Sequence, residues 1–170
     1  MEIKENAAPK DVVFRPSTME DAFAIGDALR DGDKKESAFI WPELSPQEIV
    51  ARCIGDTYAS QGPCYTCVVE DVPACIFGIK ITEMEPLRNG IIWLLCSDIP
   101  DKYPILFARY SKNMLDLLSK SLLPIKLENS VWIEHKSARA WLKWLGFTET
   151  DEYQDKNGVG WVHVEKFIGE

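Results

Sequence analysis

Residues 91–97 read Ile-Ile-Trp-Leu-Leu-Cys-Ser, an apolar run with no polar residue before its last position. The run is short for a buried helix and lacks the every-second-residue polarity of a strand with one wet face. It predicts a strand covered on both sides, which requires helices above and below one sheet.

The flanking segments supply those layers. DVVFR (11–15) predicts a short strand stopped by Pro16. Ser17 or Thr18 then caps a helix with Glu20 and Asp21 in its first turn, suited to the positive end of the helix dipole, and with Ala22, Ile25 and Leu29 on one face. RDGDKKESAF (30–39) reads as a charged turn or a second half-helix. Ser45-Pro46-Gln47-Glu48 opens a helix to about Ser60, with Ile49, Cys53 and Ile54 inward. YTCVVE (65–70) and ACIFGIKITE (74–83) read as a hairpin, and Asn89-Gly90 introduces the apolar run.

After a Pro-containing loop come an amphipathic helix over 106–122, a strand over 125–133 and a helix over 136–145. Two strands joined through Lys156-Asn157-Gly158 close the chain. The expected order is β-α-α-β-β-β-α-β-α-β-β, an α/β chain in the broad sense: an α+β mixed sheet with helices on both faces. Residues 1–10 are polar and expected to be a flexible lead, with 11–170 as a single domain.

The 170 residues suffice for one core without metals or disulfides. A net charge of −8 argues against a nucleic-acid partner, because phosphate binding needs a basic surface. No apolar run reaches the roughly 18 residues that span a bilayer, so no membrane partner is expected. Nor does MEIKENAAPKD hold an apolar signal region, which places the expected site of action in the cytoplasm. Five cysteines, at 53, 64, 67, 75 and 96, lie in apolar surroundings. Cys64 and Cys67 are three apart, so in a strand they point to opposite faces, and no second pair accompanies them. Buried reduced thiols are expected and no metal site.

Three stretches resemble the GNAT superfamily of N-acetyltransferases. FRPSTMEDAFAI (14–25) is similar to its opening strand and helix, often I-R-x-A-x-x-x-D. VVED (68–71) with IFGIK (76–80) is similar to its second and third strands, with Gly78 in the familiar place. SVWIEHKSARAWLKWLGF (130–147) resembles its late strand and helix ending in Gly-Phe. The likeness covers about residues 11–168 and implies the GNAT-like acyl-CoA N-acyltransferase fold. Within the superfamily, WLKWLGF and the chain length look most like GNAT-like internal virion or core-assembly proteins of short-tailed phages. That narrower likeness implies the host cytoplasm or the virion as the location, and a phage or host protein as the partner.

The resemblance implies acetyl-CoA as cofactor only where its machinery survives. A pyrophosphate needs backbone N–H groups at a helix start. The thioester carbonyl needs a donor beside the splayed strands. The thiolate and the amine need an acid and a base. The family's glycine-rich phosphate loop, R/Q-x-x-G-x-G/A, falls here on CSDIPDKYPILFARY (96–110). Pro100 and Pro104 donate no N–H. Asp98 and Asp101 would repel a pyrophosphate by about 1 kcal/mol at roughly 4 Å, and Lys102 and Arg109 offset that in part. Leu142 stands where the family often has its tyrosine acid, and His135 where it often has asparagine. The implied cofactor contacts are Leu95, Cys96, Ser97, Lys102, Tyr103 and Arg109. The implied catalytic candidates are Glu83, His135 and Tyr110, with Glu85, Asp98 and Glu134 as further acids at strand ends.

Packing residues of the pattern are present and chemical ones are missing. The expectation is a GNAT-fold phage protein with degraded acetyl-CoA motifs, acting by binding in virion core assembly. The alternatives are an acetyl-CoA-dependent N-acetyltransferase of a protein or small amine, and an acidic mimic of nucleic acid that inhibits a host protein.

Overall fold

The computed structural model describes residue 9 and residues 11–170. The expected flexible lead over 1–10 therefore lies outside the described residues except for Pro9.

Seven strands form one sheet in the order β1-β2-β3-β4-β5-β7-β6. They are β1 (Val12–Pro16), β2 (Cys64–Val69), β3 (Val72–Glu83), β4 (Arg88–Cys96), β5 (Ile125–Trp132), β6 (Thr148–Gln154) and β7 (Gly160–Ile168). All neighbours are antiparallel except β4 and β5, which run parallel. The apolar run lies in β4 at the middle of the sheet, as its lack of alternation requires. Ile92 and Cys96 join the core on one face, while Trp93 and Leu95 pack on the other.

Helices α1 (Met19–Asp27), α2 (Asp31–Ile40) and α3 (Pro46–Ala59) precede the central hairpin. Ala22, Ile25, Val50 and Ile54 of α1 and α3 cover Ile76 and Leu95. A short α4 (Ile99–Lys102) leads into α5 (Pro104–Ser119), and α6 (Lys136–Trp144) follows β5. Met114, Leu118, Leu142 and Leu145 of α5 and the α6 segment cover Phe77, Leu127 and Val164 on the opposite face. No helix among the described residues is long and apolar enough to cross a membrane.

Local signals explain most boundaries. The Ser45 hydroxyl accepts from Glu48 N (3.2 Å), the Glu48 carboxylate accepts from Ser45 N (2.7 Å), and Pro46 fills the first turn. Gly146 ends α6 at φ +88°, with Phe147 N donating to Leu142 O at 3.0 Å and the Phe147 ring buried. The Gly-Phe ending is thus a helix cap whose following residue anchors in the core. Three expectations change. The charged 30–39 stretch is a full helix, the loop after β4 holds α4, and Asn89-Gly90 lies inside β4 rather than before it. Asn89 and Gly90 pair with Glu83 and Ile81 of β3 and with Lys126 and Leu127 of β5. Pairing on both edges overrides the turn preference of Asn-Gly.

Candidate functional site

The parallel strands separate. β4 and β5 pair from Arg88↔Ile125 to Ile91↔Glu128, and beyond that each continues only with its other neighbour. Asn129 sits at the apex, its Nδ2 donating to Ile92 O and its Oδ1 accepting from Ser130 N, both at 2.7 Å. Past that point alternate residues of each strand aim their N–H and C=O into the cleft, because the ladder partner on that edge is gone.

Helix α2 fills the open end of that cleft. Asp33 Oδ2 accepts from Cys96 N at 2.8 Å, and Glu36 Oε2 accepts from Trp132 N at 2.8 Å. One carboxylate therefore holds each of the two splayed strands. Arg30 N donates to Cys96 O at 2.9 Å, and Leu29 bridges to Ser97, so Cys96 has both backbone groups taken. Asp33 Oδ1 also lies 2.7 Å from His135 Nε2, and Arg30 Nε lies 3.0 Å from Asp33. Ser137 Oγ lies 3.2 Å from His135 Nδ1. Gly32 makes this fit: a Cβ there would come within 2.7 Å of the His135 ring. Burial pushes the Glu36 carboxyl above its ordinary range, against the opposing pull of the Trp132 N–H.

Beneath this wedge a cavity of about 270 Å³ remains, lined by Trp41, Trp93, Leu94, Glu36, Asp56 and Lys80. On the other face of the sheet, α5 and α6 are closed against one another. Trp144 Nε1 donates to Ala108 O (3.1 Å), Phe107 stacks on Trp141 (6.2 Å between centroids), and Lys112 lies over the Trp144 ring at 4.3 Å.

The turn from β4 to α5 uses its own donors. Ser97 N bonds Ala74 O, Ile99 N bonds Ser97 Oγ, Asp101 N and Lys102 N bond Asp98 O, and Tyr103 N bonds Pro100 O. Pro100 and Pro104 have no N–H, and Phe107 N bonds Tyr103 O, leaving at most Ile105 and Leu106 of the first-turn donors of α5. Asp101 pairs with Arg30 (3.0 Å) and Lys102 with Asp98 (3.2 Å). A diphosphate finds neither a ring of free amides nor unpaired cations in this turn. At this turn the residues present do not fit the diphosphate of the coenzyme that the fold implies.

The sequence candidates are scattered. Glu83 is exposed, accepts from Asn89 Nδ2 at 2.7 Å, and stands at the end where β4 and β5 are still paired. Tyr110 packs edge-on to Phe14 beneath the first strands, and Tyr103 lies beside it in a small apolar cavity. Arg109 lies in a shallow surface groove with Ile105, Lys112 and Trp144. Ser97 Oγ donates to Ala74 O at 3.0 Å. Cys96 and His135 do meet at the splay, through Asp33, while Leu95 packs on the α1 and α3 side of β4. Leu142, at the tyrosine position, is buried in the core. Sequence reasoning missed Arg30, Asp33 and Glu36, whose only local mark was a charged stretch dense enough to read as solvated, and Asn129, one polar residue among others in β5.

One group could hold a metal ion among the described residues. Glu128, His163 and Glu165 bring three donor atoms within 4.8 Å of one another, yet Lys126 Nζ already lies 2.9 Å from Glu165 and 3.7 Å from Glu128.

No protein-family model and no curated sequence matches the chain. Solved structures do. A GNAT-family acetyltransferase from Streptococcus pneumoniae superposes with a TM-score of 0.63 at 13% identity, over 94% of this chain and 100% of that one. A ribosomal-protein-alanine N-acetyltransferase from Brucella melitensis gives 0.69 at 12% identity, over 92% and 99%. A ribosomal-protein alpha-N-acetyltransferase in complex with coenzyme A gives 0.67 at 11%, over 94% and 95%. The chain has the GNAT acyltransferase fold.

Proposed function

We propose that this GNAT-fold chain no longer carries acetyl-CoA and acts by binding another protein. The observation that carries the reading is the pair of α2 carboxylates on the amides of Cys96 and Trp132. An acyl carrier lying along the splayed strands would need those donors, and displacing Asp33 would leave Arg30 and His135 without their buried partner. Isothermal titration with acetyl-CoA is expected to give no heat. Saturable micromolar binding overturns the reading.

The partner in this proposal is a phage or host protein, and the finer role is assembly of an internal virion core. That role rests on the likeness of WLKWLGF and of the chain length to phage proteins of that kind. Recovery of the protein from purified particles supports it, and its absence from them counts against it.

A second reading, an acetyl-CoA-dependent N-acetyltransferase, is favoured by one feature: the strands still splay over a cavity of about 270 Å³. It requires α2 to lift from the cleft. Release of free coenzyme A thiol on mixing the protein, acetyl-CoA and amine acceptors supports this second reading, and no release beyond the blank dismisses it.

A further inference from the structure

We infer that Cys67, Cys75 and Cys96 form a buried thiol ladder in which Cys67 and Cys75 close a reversible disulfide on reaction with a small hydroperoxide. The inference stands apart from the question of acetyl-CoA.

Three adjacent strands place a cysteine at the same height. Cys67 of β2 is the register partner of Cys75 of β3, which is in turn the partner of Cys96 of β4. Side chains on neighbouring strands in register share a face, and all three thiols lie in the core layer under α5 and α6. Backbone bonds fix the kind of each pair. Ile79 N donates to Pro63 O, so alternate residues of β3 back to Cys75 bond toward β2. Ser97 N donates to Ala74 O, so the residue before Cys75 bonds toward β4. Cys67 and Cys75 are thus a hydrogen-bonded pair, with Cα atoms about 5.5 Å apart. Cys75 and Cys96 are a non-hydrogen-bonded pair, at about 4.5 Å. Both separations fall within the roughly 4.4–6.8 Å that a disulfide spans.

The two ends of the ladder differ in access. Cys75 and Cys96 are fully buried, and Cys67 is 6% exposed. Cys67 and Cys75 share the wall of a cavity of about 30 Å³ with Pro100, Tyr103, Tyr110 and Met114. At the roughly 10–15 Å³ that one water needs, that volume takes about two water-sized groups. A small uncharged peroxide fits such a space, and a charged tripeptide disulfide does not. A hydrogen bond from Cys75 lowers the Cys67 thiol below its ordinary value, and bonds to Cys67 and Cys96 hold Cys75 well above. Cys67, the more accessible and the more acidic of the two, is therefore the thiol placed to attack, with Cys75 the proton donor beside it.

The chemistry balances on these atoms. The Cys67 thiolate attacks one oxygen of hydrogen peroxide and breaks the O–O bond, giving Cys67 sulfenic acid and hydroxide. The hydroxide takes up the proton that Cys67 had lost and leaves as water. The Cys75 sulfur then attacks the Cys67 sulfur, the S–O bond breaks, and the Cys75 proton leaves with the departing hydroxide as a second water. Two thiols are oxidised by two electrons, and one peroxide is reduced to two waters.

The test uses the wild-type protein. After one equivalent of hydrogen peroxide, the intact mass should fall by two hydrogens and peptide mapping should show Cys67 joined to Cys75. Dithiothreitol should restore the mass, and oxidised glutathione alone should leave it unchanged. Cys96→Ser should keep the mass loss, and Cys75→Ser should abolish it and leave a Cys67 sulfenic acid that dimedone captures. An unchanged mass in folded wild-type protein, or a bond mapped to Cys53 or Cys64 instead, overturns the inference. Because the wild-type map decides alone, a variant that fails to fold does not rescue it.

Discussion

Asp21 and Asp33 are equally buried, 3% exposed each, yet they do different work. Asp21 ties a corner together. Arg15 donates to it through both terminal nitrogens (2.7 and 2.8 Å), Thr18 N at 2.9 Å and the Thr66 hydroxyl at 2.8 Å. Asp33 reaches across the molecule to Cys96 N and to His135, with Glu36 one turn further along on Trp132 N. The first carboxylate joins β1, the start of α1 and β2 at one corner. The second, with Glu36, occupies backbone donors that the splay of β4 and β5 leaves open. The same chemistry thus serves scaffold in one place and closure of a cleft in the other.

The largest effect should come from removing the wedge. Asp33→Ala leaves His135 and the Cys96 N–H buried without their shared acceptor, and Arg30 with only the exposed Asp101 as a counter-charge. The expected loss is about 3–5 kcal/mol, as for breaking a buried ion pair at one end. Urea unfolding measures it. A loss below about 1 kcal/mol would mean that α2 lies on the cleft without holding it, and the contrast with Asp21 would disappear.

The corner should respond more mildly and with a pH signature. Burial by itself would raise the Asp21 carboxyl, but the Arg15 hydrogen bonds, then Thr18 N and the Thr66 hydroxyl, bring it below its ordinary range. A lowered folded value means stability that is complete above the unfolded carboxylate range, near pH 4, and lost as pH falls through the folded value. Asp21→Asn should cost about 2 kcal/mol at neutral pH, in the range for hydrogen bonds to a charged group. The gap from wild type should narrow under acid. A pH-independent gap would assign the effect to shape rather than charge.

Much of the scaffold was legible in sequence. The unbroken apolar run placed β4 between two layers, and Ser45-Pro46-Gln47-Glu48 placed the start of α3. The three-residue spacing of Cys64 and Cys67 put them on opposite faces, where they join different core clusters. The Arg15–Asp21 pair spans six residues, so a local pattern carries it. The cleft is another matter. Asp33 meets Cys96 across 63 positions and His135 across 102, and Glu36 meets Trp132 across 96. No periodicity links such positions. A helix half of whose residues are charged reads as solvated until the fold shows which carboxylates turn inward. Strand register was equally hidden, and with it the alignment of Cys67, Cys75 and Cys96 across three strands.

Glu36 offers the smallest effect and the sharpest test, because its sign opposes that of Asp21. Its carboxyl is raised, first by burial, so the folded state holds the proton more tightly than the unfolded chain does. A raised folded value makes stability fall as pH climbs from the unfolded carboxylate value through the folded one. Glu36→Gln keeps an oxygen to accept from Trp132 N and removes the titration. Its net effect should stay within about 1 kcal/mol, as the acceptor is retained. The direction is the informative part: relative to wild type, the variant should gain stability as pH rises, where Asp21→Asn loses it. Paired urea titrations of the two variants from acid to neutral pH should give difference curves of opposite slope. Parallel curves would mean that the cleft carboxylate is as well compensated as the corner one, and that α2 closes the splay at no electrostatic cost.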